Sequence, residues 1–400
     1  MLKTAKYLNS TKKHLALIAP LDWGLGHTTR CIPIIRELKK NNIEIVIACN
    51  SVQKSILEAE FPDETYVNLP GYRLSYGSSR RHTIAKLILQ IPKILISIKR
   101  ENLQLKRFLL QFNANIIISD NRYGVFSPKI HSIFITHQLN IVTGTGHFGD
   151  RLIRRFTHSM IRKFDECWVP DFENGFTLAG RLSHPVLKPA FPVRYIGPLS
   201  RFERCAGLGN GLHSSTANGL HSSTSNGLHS STATQPYILV ILSGPEPQRS
   251  KLEEIMLAQL VKIDSDSIVI RGLPHSTESI SASSKMRIIN FAGAAELNKL
   301  ICNAYVVISR SGYTTVMDLL KLQKKAILIP TPGQPEQEYL GRYLSRLQLA
   351  VMANQETLNL REELTKTDSL KKPKELPMEG YKDFCSADVL GGCATDLPIR

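Results

Sequence analysis

Four hundred residues are too many for one ordinary domain and fit two, each able to bury its own core. A hydrophobic content of 42% suits a soluble globular protein, and no uncharged apolar run is long enough to span a bilayer, so no transmembrane helix is expected. The net charge of +16 is uneven: residues 1–204 carry 30 Lys and Arg against 15 Asp and Glu, and residues 205–400 carry 20 against 19, so the first half is built to approach something anionic.

In chain order, Leu15–Pro20 reads as a buried strand, and its apolar stretch is too short for the h-region of a signal peptide. The loop LDWGLGHTTR follows, then a helix to Lys40 and a second strand, Ile43–Ala48. Gly24-x-Gly26 between strand and helix has the outline of a dinucleotide fingerprint. Thr29 stands at the third glycine position, however, and the second strand runs into Cys49-Asn50 with no acid to hold a ribose, so NAD is not expected. Further on, the strand Asn115–Ser119 ends in Asp120, and Ile133–Thr136 runs into His137-Gln138. Open parallel sheets bind ligands at the carboxyl ends of their strands. Asp22, His27, Asp120 and His137 all fall there and are expected to converge.

Between Tyr72 and Arg107 nine Lys and Arg face a single Glu, with Ile84, Leu87, Ile88, Ile91, Leu95 and Ile98 at helical spacing. Arg151–Phe164 adds five bases and no acid. Two readings stay open: helices lying in an anionic membrane interface, or ordinary amphipathic surface helices. Nucleic acid is not expected, since few aromatics interleave the bases and no binding module is visible. The seven cysteines (31, 49, 167, 205, 302, 385, 393) are odd in number, scattered and without C-x-x-C, which argues for free thiols in a reducing compartment and against a zinc site or disulfide frame.

Phe191–Phe202 reads as the exit of a first domain, 1–200. A linker over 201–236 contains the repeat NGLHSSTA, NGLHSSTS, NGLHSSTA, too polar to offset its chain entropy and read as disordered. A second domain, 237–352, opens with the strand Tyr237–Leu242 running into Ser243-Gly244. A helix (Lys251–Val261) and strands at Ser267–Arg271 and Arg287–Phe291 follow. The stretch Val306–Tyr339 is a βαβ unit: a strand, Ser311-Gly312 opening a helix to about Leu322, a strand at Ala326–Ile329, and a proline- and glycine-rich loop feeding another helix near Glu336. Small residues at that helix start leave N–H groups uncovered beside the positive end of the dipole, a position that suits a diphosphate. Residues 353–400 are expected to be a helix, Gln355–Leu364, packed back on the first domain, and a poorly ordered polar tail from Lys366.

Ser309-Arg310-Ser311-Gly312, then Thr315, Asp318 and Gln337-Glu338, resembles the donor-site signature of glycosyltransferase family 28. That resemblance implies two Rossmann-like domains facing a cleft, the GT-B arrangement, in an α/β protein. It implies a donor site in the second domain: Ser243 and Gly244 at the phosphates, Phe291 and Ala292 at the base, Ser311, Gly312 and Thr315 at the helix mouth, Asp318 on the ribose, and Gln337, Glu338 and Gln334 towards the sugar. Arg249 or Arg310 would stabilise the departing diphosphate. The loop Asp22–His27 resembles an acceptor loop of such enzymes, with Asp22, Gly24, Gly26 and His137 shaping the acceptor pocket. His27 is then the base that takes the acceptor proton and Asp120 the group that orients it. Asp264-Ser265-Asp266 matches the metal-carrying D-x-D of the other glycosyltransferase fold but reads as a turn, so no metal and no cofactor beyond a UDP-sugar co-substrate is expected.

The expected activity is inverting transfer of a hexosyl or N-acetylhexosaminyl group to a lipid-linked or glycan hydroxyl, in the cytoplasm or on the inner face of a membrane. Two alternatives remain at this point. One is a UDP-sugar 2-epimerase, which shares the fold but needs an acid-rich set absent from the first half. The other is a protein that binds sugar nucleotide or membrane without turnover.

Overall fold

Each short apolar run becomes a strand of one of two parallel sheets, because a strand covered by helices on both faces can be apolar throughout. The computed structural model describes residues 14–72, 89–143, 146–205, 236–274, 276–278, 284–371, 376–386 and 390. The NGLHSST repeat, Ile84, Leu87, Ile88, Cys393 and much of the C-terminal tail lie outside the described residues.

The first sheet contains β1 (Leu15–Pro20), β2 (Glu44–Cys49), β3 (Thr65–Asn68), β4 (Ile116–Asp120), β5 (His131–Ile135), β6 (Glu166–Val169) and β7 (Val193–Tyr195), in the order β3-β2-β1-β4-β5-β6-β7. Its helices are α1 (Leu25–Lys40), α2 (Ser51–Glu58), α3 (Ile91–Gln111) and α4 (His147–Ile161). The second sheet contains β8 (Tyr237–Ile241), β9 (Ser267–Ile270), β10 (Met286–Ile289), β11 (Ala304–Ser309), β12 (Ala326–Leu328) and β13 (Val351–Met352), ordered β10-β9-β8-β11-β12-β13. Helices α5 (Gln248–Leu260), α6 (Ala294–Asn303), α7 (Tyr313–Lys321), α8 (Pro335–Arg346) and α9 (Leu360–Lys366) accompany it. This is the expected α/β architecture of two Rossmann-like lobes.

Both sheets reverse their strand order beside their first strand, between β1 and β4 and between β8 and β11. Such switch points open crevices at the carboxyl ends. In the first sheet, the register Ala16↔Ile116 to Pro20↔Asp120 brings the loop after β1 level with Asp120. In the second, Ser309↔Ile241 brings Ser243-Gly244 level with Arg310–Gly312. The lobes meet through α7. Tyr313 donates its hydroxyl to Pro170 O at 2.6 Å, and Ser200 donates to Asp318 Oδ1 at 2.6 Å.

Three expectations fail. The segment after β13 forms α9, not a helix over Gln355–Leu364. It packs on the second lobe: Leu360 is buried in that core, and its N–H donates to Gln259 Oε1. What returns to the first lobe is the short 3-10 turn Gly380–Phe384, inside the tail read as poorly ordered. Burial explains it, because Tyr381 and Cys385 join the core that holds Trp168 and Ile196. Finally, Cys205 and Cys302 are disulfide-bonded, Cα to Cα 5.5 Å, while Cys31, Cys49, Cys167 and Cys385 are buried free thiols. Scattered spacing concealed a pair that only the docking of the crossing segment on α6 brings together.

This bond closes a loop of 97 residues. Loops near that length are worth up to about 4.7 kcal/mol by chain entropy, and measured bonds typically give about 2–4 kcal/mol. Cys302→Ser is therefore expected to lower the urea midpoint without reductant and to match wild type in dithiothreitol. Equal midpoints without reductant would show that the bond is absent or adds nothing.

Candidate active site

Gly24 takes a left-handed φ of 75°, so the chain turns sharply out of β1 and α1 begins at Leu25. His27 lies in the first turn of α1, and Asp120 ends β4 beside it. His27 Nδ1 is 3.2 Å from Asp120 Oδ1. A carboxylate only accepts, so Nδ1 is assigned the proton and Nε2 the lone pair. Arg30, one turn further along, donates from Nε to Asp120 Oδ2 at 2.8 Å and pairs with Oδ1 through Nη2.

Burial resists ionisation of Asp120, but the charges of Arg30 and His27 outweigh it and hold the carboxyl well below the usual range. Burial and then the Arg30 charge push the His27 imidazole below its ordinary value, against the pull of Asp120. Arg30 also reaches His137 Nδ1 at 3.2 Å. His137 stacks on Tyr313, centroids 4.0 Å apart and 5° from parallel, and its Nε2 lies 2.7 Å from Glu336 Oε1 in the other lobe. Gln138 bonds the second oxygen of Glu336. Burial works against the Glu336 carboxylate, yet His137 beside it leaves its pKa lowered.

The helix mouth of the second lobe adjoins this cluster. Thr314 donates its hydroxyl to Gly26 O at 3.2 Å, and a Cβ at Gly26 would lie 2.9 Å from Thr314 Oγ1. Glycine is needed there for close approach. Gly312 caps α7 without a side-chain bond, and Thr315 stands half-buried in the same first turn. Ser311 is buried and donates to Gln337 O at 2.8 Å. Ser243 and Gly244 are exposed across from it, Gly244 with φ 107°. Thr331 Oγ1, buried and without a partner, would lie 3.6 Å from a Cβ at Gly244. Phe291 is exposed just after β10, at the edge of the second sheet, while Ala292 is buried in the core.

Several expected site residues are turned elsewhere. Asp22 accepts from Tyr72 N at 3.2 Å, away from His27. Arg249 is buried between Glu246 and Glu253, so its charge is spent inside the lobe. Arg310 is 1% exposed and braces backbone, donating to Ile329 O, Pro330 O and Gln248 O. Burial alone pushes it down to about 10. Asp318 lies under the segment that crosses between lobes, with Ser200 on its carboxylate and Arg201 nearby. Burial lifts it to about 6, so a ribose contact does not follow from its placement. Gln337 accepts from Thr331 N at 2.9 Å and donates to Gln334 Oε1 at 2.6 Å, and Glu338 accepts from Gly333 N at 3.4 Å, so these three shape the loop before α8. The common cause is that a motif gives spacing along a helix or loop, while packing inside the folded lobe, or under the crossing segment for Asp318, decides which way a side chain points.

Residues 255–382 match the glycosyltransferase family 28 C-terminal domain. An uncharacterized glycosyltransferase of Methanosarcina acetivorans is 21% identical over 333 residues, 79% of this chain and 79% of its own. Among solved structures, the spinosyn rhamnosyltransferase SpnG complexed with thymidine diphosphate superposes with a TM-score of 0.54 at 12% identity, covering 94% of this chain and 96% of that one. MurG of Acinetobacter baumannii gives 0.50 at 12%, covering 96% and 98%. At such identities the solved structures share the fold, which is GT-B. The protein is a glycosyltransferase of this type.

Arg30, Glu336 and Tyr313 join the cluster around His27 and His137, Thr331 lies beside Gly244, and the sequence singled out none of the four as a site residue. Arg30 stands three residues after His27 on one helix face, a spacing that could have flagged it. Glu336 bonds a residue 199 positions away, and nothing local signals that.

Proposed function

We propose that this glycosyltransferase moves a hexosyl or N-acetylhexosaminyl group from a UDP-sugar to a hydroxyl of a lipid-linked or glycan acceptor, with inversion. The observation that carries the reading is the meeting of two elements. The loop bearing His27 touches the first turn of α7, which supports a base and a diphosphate seat lying side by side. Nε2 of His27 takes the acceptor proton while the hydroxyl oxygen bonds to the anomeric carbon. The bond from that carbon to the phosphate oxygen breaks, and UDP leaves with its electron pair towards the N–H groups of Gly312 and α7. Ser243, Gly244, Ser311, Thr315 and Thr331 line the diphosphate side. No metal takes part in this scheme.

The acceptor is proposed to arrive from an anionic membrane surface. Leu89, Leu103, Leu110, Phe148 and Leu152 are exposed on or beside α3 and α4, among Lys99, Arg100, Lys106, Arg107, Arg151, Arg154 and Arg155. Ile98 of α3 and Met160 of α4 pack with Leu21 after β1 through their buried sides, so both helices lie beside the proposed acceptor loop. Basic residues near such a surface contribute about 1 kcal/mol each. No described helix is long and apolar enough to cross a membrane.

A thermal-shift panel of nucleotide sugars tests the donor. At a hundredfold excess over Kd the bound form gains about 2.7 kcal/mol, which raises the melting point for UDP-sugars and not for NAD. Turnover on polyprenol-linked and glycan acceptors is then compared with and without anionic vesicles. A response to NAD alone overturns the donor, indifference to vesicles overturns the membrane approach, and conversion of UDP-GlcNAc to its C2 epimer without acceptor marks an epimerase.

A further inference from the structure

In the cluster around His27, the carboxylate meant to orient the base is shared. Asp120 is fully buried, and Arg30, 2% exposed, occupies it from one side: Nε donates to Oδ2 at 2.8 Å and Nη2 pairs with Oδ1. Cys31 Sγ donates to Oδ2 at 3.7 Å, so that oxygen is filled. The remaining direction at Oδ1 is taken by His27 Nδ1 at 3.2 Å. Arg30 is fixed in turn by His137 Nδ1 at 3.2 Å, and His137 by Glu336 of the other lobe at 2.7 Å. The titratable groups facing His27 are thus Asp120, Arg30 and His137, with Cys31 and Glu336 behind them.

We propose that Arg30 is a positioning residue for sugar transfer: its guanidinium fork clamps Asp120 so that the carboxylate holds His27 Nδ1–H in one orientation and leaves Nε2 as a free, neutral base. A planar fork matches a carboxylate on two atoms, which an ammonium does not. The clamp also changes what Asp120 does to the imidazole. An aspartate alone beside a histidine favours the imidazolium, which cannot accept a proton, whereas an aspartate already paired with a guanidinium orients the ring without charging it. Burial and the Arg30 charge act on His27 in that same direction. The chain Glu336–His137–Arg30–Asp120–His27 further ties the arrangement to contact between the lobes.

This inference rests on His27 acting as the base, but its first test needs no substrate. Histidine Cε1–H resonances of the full-length protein are titrated by NMR, with the His27 signal assigned from its loss in His27→Gln. In Arg30→Gln the His27 midpoint is expected to rise by about one unit or more, because a nearby charge is removed while Asp120 remains. Arg30→Lys keeps the charge and should leave the midpoint near wild type. It should lower kcat for UDP-sugar turnover about tenfold with KM unchanged, since orientation and not binding is lost. An unmoved His27 midpoint in folded Arg30→Gln overturns the proposal. If that variant does not fold, unchanged kcat in Arg30→Lys overturns it instead. Failure of the wild type to turn over any UDP-sugar would count against the function but leave the titration to be read on its own.

Discussion

His27→Ala is expected to lower sugar transfer by roughly 10²–10⁴-fold while leaving UDP-sugar affinity within a factor of about two, the range over which a positioned general base contributes. The separation follows from geometry. His27 sits in the first turn of α1 with its ring on Asp120, while the proposed diphosphate seat is Gly312 and the first turn of α7. Removing the imidazole deletes the proposed base and leaves the proposed donor contacts of the second lobe in place. Burial and then the Arg30 charge hold the ring below its ordinary pKa, so it is neutral at neutral pH and the activity of the wild type should fall on the acid side of the ordinary histidine range. Initial rates and donor titrations of the two proteins provide the measurement. A variant retaining more than about a tenth of wild-type kcat would remove His27 as the base, and a large loss of donor affinity would move it to the donor site.

The largest stability effect is expected at Glu101→Ala, about 3–5 kcal/mol, the cost of leaving one member of a buried ion pair alone. Glu101 of α3 and Arg122 are 2% and 0% exposed and pair at 2.8 Å. Tyr72 donates its hydroxyl to the same carboxylate at 2.8 Å, and Gly124 N donates to it at 3.2 Å. Arg122 in turn holds Pro20 O at 2.8 Å and Pro70 O at 3.1 Å, so the ion pair anchors backbone at the end of β1 and beyond β3. One guanidinium nitrogen, Nη2, is already buried without a partner, and losing Glu101 would strand the whole charge. Urea unfolding checks this; a change under about 1 kcal/mol would mean that Arg122 finds water.

The pH dependence separates the glutamate's charge from its shape. Burial raises Glu101 to about 6 against the pull of Arg122, and burial likewise raises Asp318 to about 6. A carboxyl whose folded pKa exceeds its unfolded one binds more protons when folded. Its contribution is full below about pH 4 and is lost as pH rises through about 6. Asp120 is depressed and acts oppositely, so its contribution is lost only at pH values below the normal carboxyl range. Glu101→Gln should therefore flatten the part of the wild-type stability curve that falls between about pH 4 and 6.

Much of this molecule is readable without coordinates. The alternation of apolar strands with helical segments, interrupted at Gly24, Ser243-Gly244 and Ser311-Gly312, fixes two parallel sheets, since such runs can be buried only between helix layers. The same punctuation places His27 and Asp120 at strand ends, where a switch point brings them within 3.2 Å. Folding alone decided which charges are available. Arg249 and Arg310 are expected to stabilise a departing diphosphate, but one is consumed by Glu246 and Glu253 and the other by three carbonyls. Asp318 has the right register on its helix, yet the crossing segment at Ser200 covers it. Glu336 reaches His137, and Cys205 reaches Cys302, only because the lobes and the segment between them dock. Local sequence records backbone periodicity and turn chemistry within a few residues. The direction of a polar side chain depends on which desolvated partner the finished fold places beside it, and contacts between residues far apart in the chain leave no periodic trace.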